Sequence, residues 1–174
     1  MSVNRPLDLL ADAFGRVQEC VADVVAGLSA EDLAYQPDPA ANSIGWLIWH
    51  LARVEDDHIA GIAGSEQVWA RDGWAGRFAL PYPVTTIGYG HSAADVAAFR
   101  VVGPGLLAGY YDAVHARTLE VLRGLPDAGF DRIVDERWDP PVTAAVRLVS
   151  VVNDVTQHAG QAAYVRGLLE RRRS

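Results

Sequence analysis

A chain of 174 residues, half of them hydrophobic and about a fifth charged, has the composition of a folded domain with a real core, which excludes intrinsic disorder. The formal net charge of −7, with no basic patch beyond Arg171, Arg172 and Arg173 at the C-terminus, argues against nucleic-acid partners, because an acidic surface repels phosphate. The one cysteine, Cys20, has no internal disulfide partner, and no leader-like N-terminus or apolar run of about 18 residues points to export or a membrane, so a cytoplasmic setting is expected.

Residues 7–28 carry Leu7, Leu10, Phe14, Val17, Val21, Val24, Val25 and Leu28 at helical spacing, with Asp8, Asp12, Arg16, Glu19 and Asp23 between them. That pattern predicts an amphipathic first helix. Gly27 ends it, and Ser29 with Asp32 three residues on has the spacing of a capping box for a short helical turn. Two nearby prolines, Pro37 and Pro39, make the next segment a loop. Asn42 or Ser43 then caps a second helix that runs to about Ile62. Its apolar line is Ile44, Leu47, Leu51, Val54, His58 and Ile62, and His50 stands roughly 80° off that line.

Residues 64–90 show no sustained period but hold Trp69, Trp74, Phe78, Tyr82 and Tyr89. Their aromatic content predicts a connection packed over one end of the bundle, either shaping a pocket or merely covering the core. Ser92 and Asp95 restart helix with capping-box spacing, and a third helix extends from Ala93 to about Leu125, kinked or broken near Pro104. Residues 130–138 read as an extended or irregular link. In the last helix Ala144, Leu148, Val151, Val155, His158, Ala162, Val165 and Leu169 alternate four and three apart, which predicts a bundle seam. The expectation is one all-α domain over residues 1–174, a four-helix bundle with one long aromatic connection between its second and third helices.

His50 and His158 are ionisable residues in or beside apolar lines, and Asp154 lies one turn before His158 on the same helix face. Imidazole and carboxylate are ligands for zinc, nickel or iron, and an i, i+4 pair completed by a third ligand from another helix leaves open positions. The spacing fits a core histidine hydrogen-bonded to an aspartate equally well. His58 stands roughly 12 Å along the helix from His50, too far for the two to share one ion. It reads as a hydrogen-bonded core or supporting residue. His91 precedes the third helix, His115 lies within it, and Gln161 either lines the site or faces solvent.

The segments SIGWLIWHLARVEDDH (43–58), TTIGYG (85–90) and NDVTQHAGQAAYVRGLL (153–169) resemble the DinB-type superfamily of metal-binding four-helix bundles. This superfamily includes mycothiol- and bacillithiol-dependent transferases and the metal-binding domain of a mycothiol-dependent maleylpyruvate isomerase. The resemblance spans nearly the whole chain. It implies a divalent metal held by His50, His158 and the residue at 154, where this chain has aspartate and the family has histidine or glutamate. Aspartate is one methylene shorter than glutamate and would bind directly or through water.

The resemblance further implies a metal-dependent thiol S-transferase. Such an enzyme activates a low-molecular-weight thiol for attack on a small electrophile; Trp46, Trp49 and the loop aromatics are either pocket walls or core. Two other readings remain compatible with the sequence: a metal-dependent hydrolase, and a non-catalytic stress-response or binding module with a vestigial metal site. Self-association as a homodimer is open, since no sequence patch identifies an interface.

Overall fold

The stop and start signals divide the chain into eight α-helices in its computed structural model, which describes residues 6–173. They are α1 (Pro6–Val25), α2 (Ala30–Leu33), α3 (Ile44–Ala63), α4 (Val68–Arg71), α5 (Trp74–Phe78), α6 (Ala93–Ala98), α7 (Pro104–Gly124) and α8 (Ala144–Arg173). The reading of the N-terminus as lacking a leader rests partly on residues 1–5, which lie outside the described residues.

The long helices α1, α3, α7 and α8 form an all-α four-helix bundle. α1 and α3 each pack against both α7 and α8. α3 and α8 run antiparallel: His50 lies beside His158, while Arg132, just ahead of α8, donates to the carbonyl of Ile62 at the end of α3. The buried apolar set includes Phe14 and Val21 of α1, Ile44, Leu47 and Leu51 of α3, Leu107 and Val114 of α7, and Leu148, Val151 and Val155 of α8. Among the described residues no helix is long and apolar enough to cross a membrane.

Local chemistry sets the helix ends. Ser29 with Asp32 and Ser92 with Asp95 form full capping boxes, and the Ser43 hydroxyl accepts from the N–H of Trp46 at the start of α3. Each cap satisfies backbone donors that would otherwise be orphaned, at about 1 kcal/mol apiece. Gly64 closes α3 in the left-handed region, where glycine carries no Cβ penalty.

Three details depart from the sequence expectations. The break expected near Pro104 divides the third helix in two but begins earlier: the chain turns extended at Phe99 and buries that ring, and Pro104 opens α7 in its first turn, where a missing N–H costs nothing. The link before α8 contains an antiparallel pair, β1 (Ile133–Asp135) with β2 (Val142–Thr143), too short for any alternation to show in the sequence. The seam of α8 also shifts by one residue. Ala159, 2% exposed, fills the buried position that the strict alternation gives to His158. The departure is local, since Ala162, Val165 and Leu169 are buried where the alternation puts them; residues 158 and 159, about 100° apart on the helix, straddle the buried stripe. His158 therefore borders the seam instead of filling it.

Candidate metal centre

His50 sits on the second turn of α3 and is 6% exposed, so its hydrogen bonds must come from the protein. Residues 84–88, the strap that ends the aromatic connection, supply one. Nδ1 of His50 lies 2.5 Å from the Ile87 carbonyl oxygen. A carbonyl only accepts, so Nδ1 carries the proton and Nε2 keeps its lone pair. Burial pushes this imidazole below its ordinary pKa, more than the Ile87 carbonyl raises it. The neutral form that a metal needs is thus the favoured one.

The strap approaches this closely because residue 88 is glycine. Its φ is +92°, and a Cβ there would stand 2.7 Å from His50 Nδ1, 3.0 Å from Trp49 Cζ3 and 3.1 Å from Trp46 Cζ2. Trp46 stacks on the His50 ring with centroids 4.7 Å apart and planes 16° apart, and its indole N–H donates to Nδ1 of His91. The imidazole is held by a carbonyl at its edge and an indole on its face.

α8 brings the other two groups. The rings of His158 and His50 meet edge to face with centroids 4.8 Å apart. Nδ1–H of His158 donates to Gln161 Oε1 at 2.9 Å, one turn on, which makes Nε2 the ring nitrogen left for another partner. Asp154, one turn earlier, has Oδ1 3.8 Å from that Nε2. This oxygen is shut off from solvent and accepts no hydrogen bond, although the Asp154 side chain as a whole is 40% exposed. A carboxylate oxygen without a partner in such a place normally costs free energy.

One ligand atom from each of His50, Asp154 and His158 lies within 4.8 Å of the other two. The residues fit a divalent ion on three counts: two imidazoles present Nε2, a carboxylate oxygen lacks any other partner, and hydrogen bonds orient both histidines. Atoms sharing one ion at about 2.1 Å stand roughly 3–3.5 Å apart, so the set would have to contract. The three protein groups come from two helices, the division expected from the sequence.

Other sequence candidates fall elsewhere. His58 is half-buried beside Asp57, with Nδ1 3.6 Å from Oδ2, and Ile59 takes the buried place on its helix. His115 stacks on Tyr111 within α7. His91 is more than a residue preceding a helix: it packs against Trp46, Trp49 and Tyr82 and links through Nε2 to the Thr86 hydroxyl. Trp49, Trp69 and Phe78 are core, whereas Tyr89 is 90% exposed. Two surface grooves of about 730 and 770 Å³ have linings that include none of the three candidate ligands.

Two features of α3 escaped the sequence reading. Glu55 is fully buried, accepts from the Tyr111 and Thr118 hydroxyls at 2.8 and 2.6 Å, and is pushed up to about 7 by burial. Arg53, also fully buried, ties α3 to α4, α7 and the strap. A charge one turn from a histidine, HLAR in sequence, was its only signal.

A family model described as mycothiol S-transferase matches residues 9–171. Among solved structures, the crystal structure of a conserved protein of locus from Enterococcus faecalis aligns with a TM-score of 0.88. Its identity is 31%, and the match covers 94% of this chain and 96% of that one. No curated protein matches.

Proposed function

The chain belongs to the mycothiol S-transferase family, and on that premise we propose that it is an S-transferase using a divalent transition metal, zinc, nickel or iron, held by His50, Asp154 and His158. The observation that carries this reading is the convergence of one ligand atom from each of His50, Asp154 and His158 within 4.8 Å, beside an Asp154 Oδ1 that accepts no hydrogen bond. A divalent ion there supplies a positive charge beside which a low-molecular-weight thiol ionises at neutral pH.

The chain's own groups do the rest. The Ile87 carbonyl and the Gln161 amide oxygen hold Nδ1 of His50 and of His158, which fixes the orientation of each ring and leaves Nε2 as the nitrogen for an ion. Asp154 balances part of the ion's charge. Trp46 covers one face of His50 and keeps water from it. Three protein ligands would leave room for a thiol; its proton passes to solvent, and the thiolate sulfur bonds to the electrophilic carbon of a small acceptor as that carbon's bond to its leaving group breaks and the leaving group departs with the electron pair.

Elemental analysis of purified protein tests the reading first, with about one divalent ion per chain expected and its loss in His158→Ala. Consumption of a model electrophile should then require both the ion and added thiol. Metal-dependent turnover without thiol would show a hydrolase, and a folded protein that takes up no ion would show a binding module.

A further inference from the structure

We propose that Arg53 is the positioning residue of this centre, and that its guanidinium holds the strap so that the Ile87 carbonyl stays aimed at His50. The inference rests on the reading of His50 as a ligand.

Arg53 lies three residues after His50, on the same side of α3. Its Nε donates to the Thr86 carbonyl at 3.3 Å, and the next carbonyl in the chain, Ile87, takes the Nδ1 proton of His50. Two successive carbonyls of the strap are thus pinned to one face of one helix, just before the glycine that lets the backbone come so close. Thr86 is fastened by its side chain as well: its Oγ1 takes the Gly88 N–H at 3.4 Å and faces His91 Nε2 at 3.3 Å.

The guanidinium is itself immobilised. Nη1 donates to Gln67 Oε1 at 2.8 Å and to the Tyr110 hydroxyl at 3.3 Å, and it stands 3.5 Å from Asp56 Oδ2. Asp56 in turn accepts from the N–H groups of Val68 and Trp69 and from the Tyr110 hydroxyl, each at 2.8 Å. The guanidinium carbon lies 4.8 Å over the Trp69 ring. Arg53 is therefore a fixed post between α3, α4 and α7, from which Nε alone reaches the strap.

Fold stability does not account for this arrangement. A fully buried guanidinium whose Nη2 has no partner is a costly group, and an apolar side chain of similar volume is often as stable or more so. What an apolar side chain lacks is a donor for Thr86. The chemistry at stake is the orientation and basicity of a ligand imidazole, which a carbonyl on its far nitrogen sets.

Arg53→Lys separates the two roles. Lysine keeps the buried charge for Asp56, but one ammonium in place of a fork cannot serve Asp56, Gln67 and Thr86 together. In the metal-free protein, the Nδ1–H resonance of His50 should shift or exchange faster in ¹⁵N-histidine spectra. Zinc affinity should fall by about 10–100-fold, and the cobalt-loaded variant should show an altered absorption spectrum.

A folded Arg53→Lys protein with an unmoved His50 resonance and zinc affinity within about twofold of the parent overturns the proposal. Where that variant does not fold, the pair Arg53→Met with Asp56→Asn removes both charges together and is read in the same way. Should the parent bind no divalent ion, the metal reading fails while the His50 resonance still decides the role of Arg53.

Discussion

Gly88→Ala probes the strap most directly. Alanine at a φ of +92° carries backbone strain of about 1–2 kcal/mol. The added Cβ must also move from 2.7 Å to ordinary contact with His50 Nδ1, a displacement of about 0.7 Å, and Trp46 and Trp49 block sideways relief. Overpacking of this kind costs about 1–3 kcal/mol, so the total is about 2–5 kcal/mol. The same displacement stretches the 2.5 Å contact between His50 and Ile87, and divalent-metal affinity should drop about 10–100-fold. Gly90→Ala is the control, since Gly90 has a φ of +76° but nothing within 4 Å of its Cβ position; it should show the strain alone. Urea unfolding followed by tryptophan fluorescence, with competitive metal titration, measures both effects. If Gly88→Ala is no less stable than Gly90→Ala and binds metal like the parent, the close-approach reasoning is wrong.

Glu55→Gln tests a buried acid. Its carboxyl titrates near 7 in the fold, against about 4.5 when unfolded, so its stabilising contribution is fully present below about pH 4.5 and lost as pH rises through about 7. The variant should gain up to about 3 kcal/mol on the parent between pH 4.5 and pH 8 in paired denaturation curves, and a pH-independent difference would refute the assignment. The corrected seam of α8 predicts that His158→Ala changes metal-free stability by less than about 1 kcal/mol, while Ala159→Leu destabilises by about 1–3 kcal/mol. The reverse ranking by thermal unfolding would restore His158 to the core. Asp154→Ala should weaken metal binding by about tenfold or more without destabilising the metal-free fold, and unchanged affinity in a zinc titration would remove Asp154 from the site.

The bundle was legible because its signals are local and repeated. Ser29, Ser43 and Ser92 announced their helices within three residues, and the α8 alternation located the buried stripe to within one position. The misplacement of His158 shows the limit of a fixed repeat. Neighbouring residues on a helix differ by about 100°, so a small rotation decides whether 158 or 159 faces inward, and only packing against α3 resolves it. Breaks depend on backbone conformation as much as on residue type. Gly103 and Pro104 signalled an interruption, yet the chain leaves helix earlier, at Phe99, because its ring packs against Trp49.

For the site, three side chains were nameable from pattern and resemblance, but what orients them was not. Ile87 contributes a carbonyl, which every residue has, and nothing in its side chain marks it for that duty. Gly88 looked like one more loop glycine until its distance to His50 was known. Arg53 stood within the same motif as His50, yet a charged residue on a helix ordinarily faces water; apart from Asp56, its hydrogen-bond partners come from positions 67, 86 and 110, remote in sequence. Side chains able to bind a metal are thus written in composition and period, whereas their basicity and aim depend on backbone atoms brought from elsewhere. The Asp154 replacement belongs to the first kind. Its consequence depends on the second, because a shorter carboxylate can serve only if His50 and His158 are held where it reaches.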